Sequence, residues 1–134
     1  EYADELDGKI IVDITNPVDF STFDDLLVPA DSSAAAIIAD KLPNSTVVKA
    51  FNTSFSETLA TKKVSNKHQT TVLLASDSQQ AKEQIFRALE KSGLSLVDAG
   101  SLKRARELEA LGFLQISLAA SEKISWNGGF GLFK

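Results

Sequence analysis

The chain has 134 residues, of which 43% are apolar and 24% charged, with a net charge of −4 from 14 basic and 18 acidic residues. That suits one domain with a real core, and the acidic balance argues against a nucleic-acid surface, which is built from Lys and Arg. With no cysteine, disulfides, zinc–thiolate sites and thiol nucleophiles are excluded, and the longest apolar runs are strand-length, far short of the roughly 20 residues a membrane helix needs.

In chain order, Tyr2 to Leu6 reads as the end of a helix stopped at Asp7-Gly8. Lys9 to Thr15 carries Ile10, Ile11, Val12 and Ile14, a tight β-branched run that reads as a buried parallel strand ending at Asn16-Pro17. Val18 to Asp31 is an acidic loop with Phe20, Phe23, Leu26 and Leu27, long enough to suggest a lid or binding segment. Ser32 or Ser33 caps a helix whose apolar residues are Ala34, Ile37, Ile38 and Leu42.

Thr46 to Phe51 is a second strand, followed by Asn52-Thr53-Ser54 and a short helix through about Leu59. Lys62 to Gln69 is a polar, basic connector, and Thr71 to Ala75 a third strand. Asp77 or Ser78 caps a helix with Ala81, Ile85, Phe86 and Leu89 inside, Asp77 and Gln80 having capping-box spacing. Leu94 to Val97 is a fourth strand, and Ser101 caps a long helix that Gly112 could kink. Gly128 to Phe133 reads as a short terminal strand.

Strands alternating with helices predict an α/β fold, a mainly parallel sheet with right-handed crossovers. Ligands of such sheets sit beyond the C-terminal strand ends. That directs attention to Asn16-Pro17, Asn52-Thr53-Ser54, Ser76-Asp77 and Ala99-Gly100. Asn16 and Asn52 each follow a buried strand. Their amides could bind a carboxamide or a ring edge, or each could simply close a turn.

Other constellations are weak. No G-x-G-x-x-G turn links a strand to a helix, and no P-loop is present. Gly128-Gly129-Phe130-Gly131 precedes no helix. His68 lies in a polar connector, and Asp24, Asp25, Glu107 and Glu109 read as solvated charges. Arg104 and Arg106 could reach a phosphate or pair with Glu107 or Glu109. No His/Asp/Glu cluster has metal-ligand spacing, so no metal is expected.

Three segments occur in order: Val12 to Pro17 (VDITNP), Val47 to Thr53 (VVKAFNT) and Val97 to Gly112 (VDAGSLKRARELEALG). Together they resemble the coenzyme F420 (deazaflavin)-dependent NADP oxidoreductase family. They are also similar to the oxidoreductase domain of the six-transmembrane epithelial metalloreductases.

The resemblance implies a Rossmann-like domain, and this chain matches its later part, one partial domain over residues 1–134 without the first βαβ nucleotide-binding portion. It implies NADP(H) as cofactor, a flavin or deazaflavin as co-substrate, and hydride transfer between nicotinamide and acceptor with no catalytic side chain required. Asn16 and Pro17 would lie beside the nicotinamide ribose, Asn52, Thr53 and Ser54 would approach the nicotinamide and the acceptor ring, and Phe130 would wall the acceptor pocket.

The sequence holds no methionine, so the expectation is a processed or truncated product, inactive by itself. The alternative reading is a non-catalytic half-domain acting as an assembly or ligand-binding module. The first strand is apolar on both faces, which predicts pairing at its free edge and a homodimer or larger assembly. A cytoplasmic setting, a small-molecule redox acceptor, no nucleic acid and no membrane segment complete the expectations.

Overall fold

The computed structural model describes residues 2–134. After a single 3₁₀ turn, Asp4–Leu6, come β1 (Ile10–Asp13), α1 (Ala34–Lys41), β2 (Thr46–Lys49) and α2 (Ser56–Thr61). A two-stranded hairpin follows, β3 (Lys63–Val64) and β4 (His68–Gln69). Then come β5 (Thr71–Ala75), α3 (Gln79–Leu89), β6 (Ser95–Gly100), a 3₁₀ turn (Leu102–Arg104) and α4 (Ala105–Ala120).

The main sheet has the order β1-β2-β5-β6, with β1 parallel to β2 and β5 parallel to β6. Helices cover both faces. On one, Val48, Ala50, Val72 and Leu74 pack with Ala81, Ile85 and Phe86 of α3 and Leu59 of α2. On the other, Val47 packs with Ala35 of α1 and with Leu102 and Ala105 at the entry to α4. The alternation of Val47 and Val48 sends successive side chains to opposite cores, as strand geometry demands. The Rossmann-like, mostly parallel α/β expectation is borne out.

The middle of the sheet departs from it. β2 and β5 meet antiparallel through the Lys49–Ala75 pair, and Ser76 Oγ donates to the Val47 carbonyl at 2.8 Å. The parallel pair β5–β6 therefore runs opposite to β1–β2. Ser76-Asp77 and Ala99-Gly100 end their strands at the other side of the sheet from Asn16 and Asn52, so one ligand crevice cannot gather all four. A run of apolar residues specifies burial and carries no direction.

Further differences are local. The Lys62 to Gln69 connector folds into the β3–β4 hairpin, with Lys62, Ser65 and Asn66 at positive φ. Gly128 to Phe133 forms no strand, because side-chain contacts rather than a ladder anchor it. Ser78, not Asp77, caps α3 by accepting from Ala81 N at 3.0 Å. Asp77 instead accepts from Leu102 N at 3.0 Å, starting the 3₁₀ turn before α4. Gly112 sits inside an unbroken α4. Ser33 caps α1, and the Val18–Asp31 loop is closed by a bridge between Val18 and Leu26. No helix among the described residues is long and apolar enough to cross a membrane.

Candidate functional site

The β1 and β2 ends are joined by a network of buried polar groups. Asn16 Nδ2 donates to the Asn52 carbonyl at 2.9 Å, and Asn52 Nδ2 donates to Asn16 Oδ1 at 3.1 Å and to the Leu108 carbonyl of α4 at 2.8 Å. Asn52 is buried and its Oδ1 has no partner, whereas Asn16 and Pro17 are half-buried. The two amides meet at one place, but they bond each other and the Leu108 carbonyl instead of projecting into a shared crevice, and both N–H groups of Asn52 are directed into the fold.

Two backbone features let this happen. Phe51 lies at φ +67°, a region that costs a bulky L-residue about 1–3 kcal/mol, and it swings Asn52 and Thr53 out of the strand direction. Gly112 faces the pair. A Cβ there would collide with Asn16 Oδ1 and stand 3.1 Å from both Asn52 Nδ2 and the Asn52 carbonyl. Its role is close approach.

Beneath the amides lies a buried ionic triad. Lys49 Nζ contacts Asp13 Oδ2 and Glu109 Oε2, each at 3.0 Å, with all three side chains at most 1% exposed. It also donates to the Thr15 carbonyl. Asp13 Oδ1 accepts from Thr15 N and Thr15 Oγ1 at 2.9 and 2.7 Å. Glu109 accepts from Ala34 N at 2.7 Å and Ala35 N at 3.3 Å, so it occupies the positive end of α1.

The expectation that Glu109 is a solvated helix charge is therefore overturned. A helix register places one carboxylate of α4 inward, and the sequence shows no signal for it beyond the opposite charge of Lys49. Glu107 is exposed and pairs with Arg104 at 3.2 Å and Arg106 at 3.3 Å, the plainer of the two readings of those arginines. Asp24 and Asp25 are exposed as expected, and exposed His68 packs edge-on against Phe133.

A cavity of about 100 Å³, open to solvent at its mouth, adjoins the β2 end. It brings together Thr53, Ser54 and Phe130, three residues singled out from the sequence, but not Asn16, Pro17 or Asn52. Because β5 runs against β2, its first residue, Thr71, and Thr70 just before it form the facing wall. Thr58 and Thr70 spend their hydroxyls inside the fold, on the Phe55 carbonyl at 2.8 Å and the Thr58 carbonyl at 2.7 Å. No Asp, Glu, Lys, Arg or His lines the pocket. Among the described residues no cluster of His, Cys, Asp or Glu could hold a metal.

On the far side of the sheet, Lys82 reaches Asp98 Oδ1 at 2.8 Å and the Gly100 carbonyl at 3.0 Å. Partial burial works to raise the Asp98 carboxyl, but hydrogen bonds from Lys82 and the Gly100 amide, with the Lys82 charge, hold it below its ordinary value.

No protein-family model matches the chain. Rat metalloreductase STEAP3 is 34% identical over 131 residues, 98% of this chain and 25% of that protein. The F420-dependent NADP reductase of Methanocaldococcus jannaschii is 30% identical over 132 residues, 96% of this chain and 58% of that protein. A crystal structure from Arthrobacter sp. FB24, assigned as an F420-dependent NADP reductase, superposes with a TM-score of 0.85 at 27% identity, covering 98% of this chain and 60% of the other. A hypothetical protein from Sinorhizobium meliloti gives a TM-score of 0.62 at 27% identity over 75% of this chain and 51% of that one. The chain spans a quarter to three-fifths of the length of the first three relatives. Sequence and fold together make it a homologue of the F420-dependent NADP reductases and of the STEAP3 metalloreductase, corresponding to a part of each.

Proposed function

We propose that this chain forms the nicotinamide and acceptor side of an NADP(H)-dependent oxidoreductase that passes hydride between nicotinamide and a flavin-like or deazaflavin acceptor. The observation that carries the reading is the uncharged pocket at the β2 end, which gathers Thr53, Ser54 and Phe130 in a chain whose relatives are named reductases. Hydride transfer between two rings asks the protein for distance, orientation and exclusion of water, not for an acid–base pair. A pocket lined by hydroxyls, an amide and apolar side chains fits that demand.

The residues present fit the ring end of a dinucleotide and not its pyrophosphate. A pyrophosphate needs free amides at a helix N-terminus, and Glu109 already occupies two of those of α1. In this reading residues 1–134 are one partial Rossmann-like domain, and a strand–glycine-turn–helix unit completes the cofactor site. When bound, NADPH supplies the hydride. Asn16 and Pro17 flank the nicotinamide ribose. Asn52, with both N–H groups committed, serves by holding Asn16 and Thr53 in place. Thr53 and Ser54 face the rings, and Phe130 walls the acceptor.

The test joins this chain to a preceding strand–glycine-turn–helix unit and titrates NADPH by calorimetry. A saturable heat of binding and NADPH-dependent reduction of riboflavin or 5-deazariboflavin are expected. Absence of any NADPH heat sinks the reading. It then leaves the non-catalytic assembly module, which the exposure of Val12 on β1 and of Ile14 just beyond it favours.

A further inference from the structure

Gln115, on α4, is 2% exposed. Its Nε2 donates to the Thr53 carbonyl at 3.0 Å, and its Oε1 accepts from Phe130 N, also at 3.0 Å. One buried amide therefore ties two walls of the pocket that lie far apart in sequence. Gly129 sits at φ +149°, and a Cβ there would stand 2.8 Å from Gln115 Oε1. The segment approaches the amide this closely because residue 129 has no side chain. Among the described residues, Phe130 N is the last backbone donor of the segment held by the rest of the chain.

We propose that Gln115 is the positioning residue of this pocket, fixing the Thr53 and Phe130 walls, and that the pocket takes the uncharged fused ring of a redox acceptor. This rests on the reading that the chain forms the acceptor side. A charged ring would leave water with no counter-charge in the lining and would bind poorly. The bracket needs one donor and one acceptor on a single neutral group, which an amide of this length supplies. A carboxylate would turn lone pairs toward the Thr53 carbonyl, whereas a protonated carboxyl regains the donor.

The experiment uses the protein joined to its nucleotide-binding unit, with riboflavin as the neutral-ring probe followed by fluorescence quenching and NADPH followed separately by calorimetry. Gln115→Met is expected to weaken riboflavin about tenfold, the scale of a lost buried hydrogen bond, equally at pH 5 and pH 8. Gln115→Glu is expected to weaken it at pH 8 and to return toward the unsubstituted protein at pH 5, with riboflavin affinity moving more than NADPH affinity and the melting temperature, a split that a general loss of structure would not give. Gly129→Ala, which leaves Gln115 intact and presses on its oxygen, is expected to weaken riboflavin as well.

NADPH affinity falls less than riboflavin affinity in every variant, because Gln115 holds both walls of the acceptor pocket but only Thr53 on the nicotinamide side. Riboflavin affinity unaltered in all three variants, a loss in Gln115→Glu that ignores pH, or no riboflavin binding to the unsubstituted protein would each overturn the inference. If the Gln115 pattern holds while NADPH gives no heat, the proposed function fails and the pocket assignment stands. Intact NADPH binding with riboflavin indifferent to Gln115 gives the converse.

Discussion

Gly112 illustrates how one missing side chain can decide a site. Helix interiors disfavour glycine by about 1 kcal/mol relative to alanine, so on propensity alone Gly112→Ala should stabilise α4. The contact with Asn16 and Asn52 reverses the sign. Gly112→Ala is expected to destabilise by about 1–3 kcal/mol through overpacking, measured by urea unfolding. Asn16→Ala in the same background should recover part of the loss, because the first clash disappears; strict additivity of the two changes would contradict the packing account. Lys49 belongs at the same scale. Two carboxylates and a carbonyl surround its ammonium with no water access, so loss of the ammonium would strand an uncompensated buried charge.

At the scale of elements, β5 and β6 are tied to α3 by Lys82 and Asp98. The Asp98 carboxyl titrates below its ordinary value of 3.8, so the folded protein holds that proton less tightly than the unfolded chain. The stabilisation is fully present above about pH 4 and is lost as pH falls through the depressed value. Melting temperature is expected to be insensitive to this pair between pH 7 and 5 and to fall below pH 4. Asp98→Asn should flatten that acid limb while lowering the plateau, and an acid limb as steep as before would show that other carboxylates govern it. The effect is modest, since the Asp98 side chain is 36% exposed and solvent screens the pair. Elements also explain the pocket: α4 carries both Gln115 and Glu109, so one helix sets the pocket wall and the α1 terminus together.

For the whole molecule, the β1 edge is where assembly is expected. β1 has a single strand neighbour among the described residues, with Val12 on it 39% exposed and Ile14, just beyond it, 60% exposed. An unpaired edge with apolar side chains favours pairing with another strand. Sedimentation of the 134-residue chain at micromolar concentration is expected to report a dimer or larger species, and a monomer would count against edge pairing.

Much of this protein is legible in its residues alone. The β-branched runs at Ile10, Val47 and Val72 and the capped helices between them gave an α/β sheet, because burial periodicity and capping act within a few residues. Three short segments sufficed to name the relatives. The nearness of Asn16 to Asn52 also followed, since they stand at the ends of neighbouring parallel strands, but their pairing inside the fold in place of a shared crevice did not. Only the tertiary structure decided the rest. Strand direction at β2–β5, the inward register of Glu109, the positive φ of Phe51 and the Gln115 bracket all depend on groups tens of residues apart, and a linear pattern of apolar and polar residues does not encode which distant partner a side chain will meet.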